Sequence, residues 1–386
     1  MKLTCICSGR YPAEHAAAIR HHLLAKGLTE LGHSVEFLIL FPQRWQGQTQ
    51  LKQDGINFVE LNHYNGSNKV AKKIHYFKAI SKTKKIITQK KQNNEVDAII
   101  VFSTDAYTNR IAVQLAQKLG IKIFCERTEF PYVYYDKPLK HKLMLKVFLN
   151  VLPRFDGVFA INDKLIEYMR QYNPNTQKVL TVVDLAFFKT SQPSPYPFAY
   201  IGYCGTIRGT KDGVPILIEA FAKITHQFPG LKLVLVGDNA NKGLIKDTLD
   251  KIEAYQLQDK VVFTGHIDRD MMPVILGNAQ ILVVSKPDNA QNAGNFPIKI
   301  GEYLATGVPV VVTNVGEIPL FIKDGENGYL AQPNSAEAFA QKMAEALADP
   351  AKAKEAGKKG QLVAQNNFGY VSQAAVIANF IQQKLS

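Results

Sequence analysis

The sequence predicts an α/β protein made of two parallel-sheet domains, on three observations. A strand–helix–glycine–strand pattern opens the chain at Leu3 and starts afresh at Tyr200, and a strand followed by a crossover helix implies a parallel neighbour. The chain has 386 residues, past the roughly 250–300 at which single cores stop growing. Between the halves, Leu185 to Pro197 carries Pro193, Pro195 and Pro197, an alternation that favours an extended, semi-rigid connector. The expected domains are residues 1–184 and 200–370, with a linker at 185–199.

In the first half, Leu3 to Cys7 reads as a strand. A helix follows to Leu31, with Ile19, Leu23, Leu24, Leu28 and Leu31 at helical spacing, and Gly32 ends it before the strand Val35 to Leu40. The intervening loop, Ser8 to Ala13, lacks the G-x-G-x-x-G of a dinucleotide fold, which argues against an oxidoreductase. Arg10, Tyr11 and Arg20 either hold an acceptor or phosphate at the helix start or are surface residues. Residues 56–61 form a short strand, and Asn68 to Lys91 reads as a helix with Val70, Ile74, Phe77 and Ile80 docked on the sheet. Asp97 to Phe102 is a strand, Thr108 to Leu119 a helix closed by Gly120, and Ile121 to Cys125 the next strand. That strand ends in Glu126-Arg127-Thr128-Glu129-Phe130-Pro131, charged groups where open parallel sheets bind ligands. Phe155 to Ile161, capped by Asn162 and Asp163, completes the domain.

The second half opens with the strand Tyr200 to Cys204 and a loop, Gly205 to Gly213, that leads into a helix near Pro215. Glycines with Arg208 and Lys211, between a strand end and a helix N-terminus, suit a diphosphate. Further strands are Leu231 to Val236 and Val261 to Thr264, the latter followed by Gly265-His266-Ile267. Asp268-Arg269-Asp270 spells D-x-D, but a helix follows at once, so N-capping is the expected role. No His/Cys cluster has metal-ligand spacing, and no structural or catalytic metal is expected. Helices are expected at Asn334 to Leu347, Pro350 to Asn366 and Val371 to Leu385.

Residues 294–315, GNFPIKIGEYLATGVPVVVTNV, are the most informative stretch. Lys299 to Thr306 is a short helix with Pro297 at its entrance and Gly307 as its left-handed stop. Pro309 to Thr313 is a strand buried on both faces. The loop before the helix, Asp288 to Pro297, offers backbone donors, and a carboxylate at Glu302 can accept two hydroxyl hydrogen bonds, as from a ribose.

Val261 to Leu330 resembles the nucleotide-sugar half of family 4 retaining glycosyltransferases, closest to a subgroup with a GGFPTKLGEYLATG-like loop. Many of these enzymes place two glutamates eight residues apart; here the second is Glu302 and the first position is Gly294, as in that subgroup. The ERTEFP run and the FDGVFAI strand are also similar to the subgroup. The resemblance implies the GT-B architecture: two Rossmann-like domains facing across a cleft, with the last helix, 371–386, returning to the N-domain. It assigns Lys211 to the donor diphosphate, with Arg208 sharing that role, and Glu302 to the ribose. It places the base beside His266 and Ile267, and the loop Gly205 and Thr206 near the phosphates. Gly294, Asn295, Phe296, Pro297 and Ile298 would surround diphosphate and sugar. Lys299 either reaches the diphosphate or pairs with Glu302 at i, i+3; both stay open. Glu126, Arg127 and Glu129 are candidates for acceptor contact or proton handling.

Composition is that of an ordinary soluble protein: 46% hydrophobic and 20% charged residues, with no apolar run long enough to span a bilayer. The N-terminal apolar stretch is too short for a signal peptide. Cys5, Cys7, Cys125 and Cys204 fall in expected strands without C-x-x-C spacing, which fits a reduced, cytoplasmic protein. Residues 1–190 hold 28 Lys plus Arg against 15 Asp plus Glu, whereas residues 191–386 hold 18 of each. The first half therefore meets something acidic. Asn68 to Lys91 has nine lysines and no acid, and Lys137 to Arg154 is a second basic amphipathic segment. An anionic membrane surface at the inner face is the partner these segments fit. Nucleic acid is not expected, because no recognition motif or aromatic platform accompanies the lysines.

The function expected is retaining transfer of a sugar from a UDP- or GDP-linked donor to a glycan or lipid-linked acceptor, in surface polysaccharide or glycolipid assembly, without a cofactor. Two alternatives remain open: a non-catalytic nucleotide-sugar-binding subunit, and a membrane-associated scaffold with a vestigial cleft.

Overall fold

The computed structural model describes residues 1–8, 16–41, 50–64, 66–131, 139–207, 212–238, 242–289, 292 and 296–386, with backbone alone at 50, 139–141, 242 and 244. The chain divides into two units, Met1–Val182 with Tyr370–Ser386, and Val183–Gly369. The fold is α/β, with a mostly parallel sheet in each unit.

Unit 1 runs β1 (Lys2–Cys7), α1 (Ala16–Glu30), β2 (Ser34–Ile39), β3 (Gln50–Gln53), β4 (Ile56–Glu60), α2 (Lys69–Gln92) and β5 (Ala98–Phe102). It continues with α3 (Ala106–Leu119), β6 (Lys122–Arg127), α4 (Leu139–Val151), β7 (Gly157–Ala160), α5 (Asp163–Arg170) and β8 (Thr176–Lys178). Among the described residues these strands form an eight-stranded sheet in the order β3-β4-β2-β1-β5-β6-β7-β8. All pairs are parallel except the β3–β4 hairpin, which turns at Asp54 and Gly55, both at positive φ. The helices start where side chains cap them. Asn68 Oδ1 accepts from Val70 N at 2.9 Å, Asp105 Oδ2 from Thr108 N at 2.7 Å and Asn162 Oδ1 from Leu165 N at 2.8 Å.

Alternate residues of the unit 1 strands feed two cores. Leu3, Cys5 and Cys7 point toward α1 and the last helix of the chain, α13 (Tyr370–Leu385), which contributes Ala374, Ile377 and Ile381. A Cβ on Gly27 would lie 2.7 Å from Ala374 Cβ, so glycine lets α1 and α13 approach this closely. Ile6 and its neighbours face α2, α3, α4 and α5. Here α2 departs from expectation. Ile80 is buried, but Val70, Ile74 and Phe77 of the same stripe are 69%, 50% and 51% exposed. Helical spacing says which residues share a face; it does not say how far the underlying sheet extends beneath them.

Unit 2 runs β9 (Tyr200–Cys204), α6 (Val214–Ile224), β10 (Lys232–Val236), α7 (Lys246–Ala254), β11 (Val261–Gly265), α8 (Met272–Gly277) and β12 (Ile281–Val284). Then come α9 (Ile298–Thr306), β13 (Val310–Thr313), α10 (Ile318–Phe321), β14 (Tyr329–Ala331), α11 (Ala336–Ala348) and α12 (Pro350–Asn367). Its described sheet is parallel throughout, in the order β11-β10-β9-β12-β13-β14. Counted within the unit this is 3-2-1-4-5-6, so the connections reverse direction between β9 and β12. Ligands of such sheets bind past the carboxyl ends of the strands at that reversal. The stretch expected as an extended, semi-rigid connector falls within this unit, with Phe188 buried.

Candidate functional site

Two polar clusters occupy strand ends, one in each unit. In unit 2, β9 runs into Gly205, whose φ of +147° suits only glycine. A Cβ there would lie 2.1 Å from Lys299 Nζ. The loop closes at Gly213, left-handed at φ +67°, where a Cβ would come within 2.0 Å of the Ser285 carbonyl oxygen past the end of β12. Ser285 Oγ donates to Gly213 O at 2.9 Å. The reversal point is therefore packed backbone to backbone.

Asp212 sits at the centre of this cluster, buried. Lys299 Nζ donates to Asp212 Oδ2 at 2.7 Å, and Lys286 Nζ lies 3.4 Å from Oδ1. Lys286 also donates to Asn292 Oδ1 at 2.7 Å, and the Tyr203 hydroxyl lies 3.1 Å from Asp212 Oδ2. Burial pushes the Asp212 carboxyl up, but the charges of Lys299 and Lys286 outweigh it and hold the group at about 2. Two ammonium groups around one carboxylate leave a positive excess at this cluster.

Helix α9 is held between Pro297 and Gly307, the latter left-handed at φ +75°. It is bound to the end of β9 by the Tyr303 hydroxyl, which accepts from Cys204 N at 2.6 Å. Its Glu302 is 8% exposed and pairs with Arg269, Nη2 to Oε1 at 2.8 Å. Arg269 lies on a 3₁₀ turn, Arg269–Met271, and its guanidinium is 5.0 Å from the Phe187 ring and 5.6 Å from Phe188. Lys299 thus does not pair with Glu302: it turns toward Asp212, and a residue 33 positions upstream in the chain serves Glu302 instead.

Other expectations fall as follows. Arg10, Tyr11, Arg208, Lys211, Gly294 and Asn295 lie outside the described residues. His266 is exposed just past β11, beside Ile267. Phe296 is buried, its ring 5.3 Å from Phe321 and 5.5 Å from Phe368, so it anchors the loop in the core. Pro297 has no N–H to offer a ligand. Ile298 and Lys299 begin α9 and carry first-turn N–H groups, which no preceding turn can satisfy. Asp268 precedes the 3₁₀ turn without a side-chain capping bond, so the informative residue of D-x-D is Arg269 between the acids. The sequence alone does not single out Arg269, Lys286 or Tyr203 as members of these clusters. Asp212 is signalled by its place beside Lys211 before a helix; the rest have no local signal.

In unit 1 the reversal lies between β1 and β5, where Ser8 Oγ and Ser103 Oγ share a hydrogen bond. Past it, fully buried Arg20 donates through Nε to Glu126 Oε1 at 2.5 Å and through Nη2 to Val179 O at 2.9 Å. His21 Nε2 is 3.0 Å from Glu126 Oε2, and its ring lies 4.3 Å from that of Phe102. Burial raises the Glu126 carboxyl, but Arg20 and His21 overcome it and bring the group to about 2. A carboxyl so held carries no proton near neutrality. In this structure Glu126 pairs with Arg20 and His21. Arg127 donates to Ser103 O at 2.9 Å and to Asn109 Oδ1 at 2.8 Å, beneath the Phe148 ring. Glu129 is partly buried near the end of β6.

Residues 187–363 match the family model for glycosyl transferases group 1. The match covers almost all of unit 2 and just under half of the chain. A curated relative is the N-acetyl-alpha-D-glucosaminyl L-malate synthase of Bacillus anthracis, 29% identical over 133 residues, or 34% of this chain and 32% of that protein. The first three curated relatives are matched over 32%, 36% and 43% of their own lengths. Over the whole chain the fold is that of sucrose-phosphate synthase from Thermosynechococcus elongatus, with a TM-score of 0.77, 20% identity and coverage of 99% and 98% of the two chains. Anabaena HepE, solved with UDP and glucose, gives a TM-score of 0.73 at 18% identity, covering 99% of each chain. The architecture is thus the two-domain GT-B-like one. Within the matched region, Asp212, Lys286, Lys299 and Glu302 lie near the reversal point of the sheet.

Proposed function

We propose that this protein is a retaining glycosyltransferase that moves a sugar from a UDP- or GDP-linked donor to a glycan or lipid-linked acceptor. The observation that carries the reading is Glu302, held by Arg269 beside the positive Lys286–Asp212–Lys299 cluster, at the reversal of a 3-2-1-4-5-6 sheet whose domain matches the group 1 family. In this reading Glu302 accepts the ribose hydroxyls. The first-turn N–H groups of Ile298 and Lys299 face the diphosphate, with Arg208 and Lys211 as its further cations. These cations oppose the negative charge that develops on the leaving group, and they take the electrostatic role without a cofactor. The acceptor attacks the face from which the diphosphate departs, and the leaving phosphate takes the acceptor proton. No protein nucleophile is then needed, in keeping with Gly294 at the position of the first acid. Because Anabaena HepE was solved with UDP and glucose, UDP is the first nucleotide to try. The excess of basic residues in the first half supports an acidic acceptor presented at the cytoplasmic face of a membrane.

A thermal-shift screen against UDP, GDP, ADP and their sugars tests the donor half of this reading. A ligand at a hundredfold excess over Kd stabilises by about 2.7 kcal/mol. One nucleotide should shift the melting temperature, and Glu302→Ala should weaken that shift. Absence of any shift rejects the reading. Binding without sugar transfer or donor hydrolysis would instead indicate a nucleotide-sugar-binding subunit.

A further inference from the structure

One layer of unit 1 is built unlike the rest of the molecule. Helices α2, α3 and α4 pack side by side over one face of the sheet. Each carries an exposed apolar residue beside exposed bases. On α2 these are Val70, Ile74 and Phe77, at spacings of four and three that put them on one stripe. Lys73 and Lys78 flank the stripe, and both are exposed. On α3, Tyr107 is 50% exposed and Arg110 stands one turn further on; on α4, Leu143 is 57% exposed between Lys142 and Lys146. None of the three helices contains an aspartate or glutamate. Elsewhere in unit 1 the same sheet covers its helices fully enough to bury Leu24, Leu28, Ile377 and Ile381.

We propose that this α2–α3–α4 face docks on an anionic lipid bilayer, with Val70, Ile74, Phe77 and Leu143 entering the headgroup boundary. The surrounding lysines and Arg110 contact lipid phosphates. Charge decides the occupant. A second copy of the chain would bring the same basic face against itself, and the like charges would repel. A nucleic acid would use the lysines but gains nothing from exposed valine, isoleucine and leucine. An interfacial helix needs both components, apolar area and basic charge, and this face supplies them together. The inference does not depend on the transfer reaction or on the donor site.

Flotation of the full-length protein with vesicles of phosphatidylcholine alone, or with about 30% phosphatidylglycerol, tests it. Binding is expected to the anionic vesicles only, and to weaken as salt rises. Lys73→Gln and Lys78→Gln should each lower the vesicle affinity about fivefold. Ile74→Ser with Phe77→Ser should lower it by about tenfold or more. These positions are exposed, so the melting temperature and the nucleotide-induced shift of the variants should match the parent. Three results overturn the proposal: no binding to either vesicle, equal binding to both, or a concentration-dependent dimer that Ile74→Ser with Phe77→Ser abolishes. Retention of a single-stranded RNA that tolerates the serine substitutions but not the glutamine ones would assign the face to nucleic acid and also overturn it.

Discussion

Arg269 donates through Nη2 to Glu302 Oε1 at 2.8 Å while its guanidinium rests against Phe187 and Phe188. The glutamate is thereby held in one orientation. Arg269→Ala leaves Glu302 mostly buried without this partner, and the variant should lose about 1–2 kcal/mol of stability, between the values for surface and buried pairs. It should also weaken nucleotide binding. Arg269→Lys keeps the charge but not the planar contact with the two rings, and should restore stability only in part. Chemical denaturation with and without nucleotide measures both effects. Unchanged affinity in Arg269→Ala would mean that Glu302 needs no orientation.

Acid should unfold the protein over a definite window. The Glu126 and Asp212 carboxyls lie at about 2 in the folded protein, below their ordinary values of 4.5 and 3.8. Their contribution is therefore complete above about pH 4.5 and is lost as the pH falls toward 2. Melting temperatures recorded from about pH 7 to pH 2 should drop steeply in that interval. Asp212→Asn should lower stability by on the order of 2 kcal/mol at pH 7 and flatten the drop. A profile as steep in the variant as in the parent would count against the lysine–aspartate cluster.

With the Glu126 carboxyl held at about 2, Glu126→Gln should not move the pH dependence of the proposed sugar transfer. The substitution leaves buried Arg20 with a neutral partner, so the loss should appear as lower thermal stability. A displaced pH–rate profile in Glu126→Gln would support a proton-transfer role for this carboxyl.

Gly205→Ala combines two penalties: a backbone angle closed to alanine, and a Cβ 2.1 Å from Lys299 Nζ. Lys299 Nζ, which donates to Asp212, must then shift. The variant should lose about 1–3 kcal/mol, and nucleotide binding should fall with it. Full retention of both would show that the Gly205 loop tolerates another path.

The elements that can be read from the chain are those whose causes are local. Gly307 and Pro297 delimit α9 from either side, Gly120 stops α3, and Asn162 caps α5 within three residues. The repeated strand–helix pattern announces both sheets. What cannot be read depends on distance in the chain. Lys299 and Asp212 are 87 positions apart, and Glu126 and Arg20 are 106. No periodicity links such partners, so spacing offers Lys299 only the acid three residues away and hides Arg269 between two aspartates. The exposure of three of the four α2 stripe residues is illegible for a related reason: it rests on where another element ends.

Deletion of residues 370–386 should unfold unit 1, because α13 covers Leu24, Leu28 and the β1 side chains from one side. Limited proteolysis of the truncated chain should then leave a protected fragment close to Val183–Gly369. Protection of both units would show α13 to be dispensable.

The path of the chain also orders its synthesis. Val183–Gly369 is one uninterrupted run, whereas the other unit needs the first 182 residues and the final helix. During translation the earlier-made sheet must wait, with its α1 face uncovered, until the whole of the later-made one has left the ribosome. The unit begun first is finished last, and through that interval its open apolar face is the surface most in need of a chaperone.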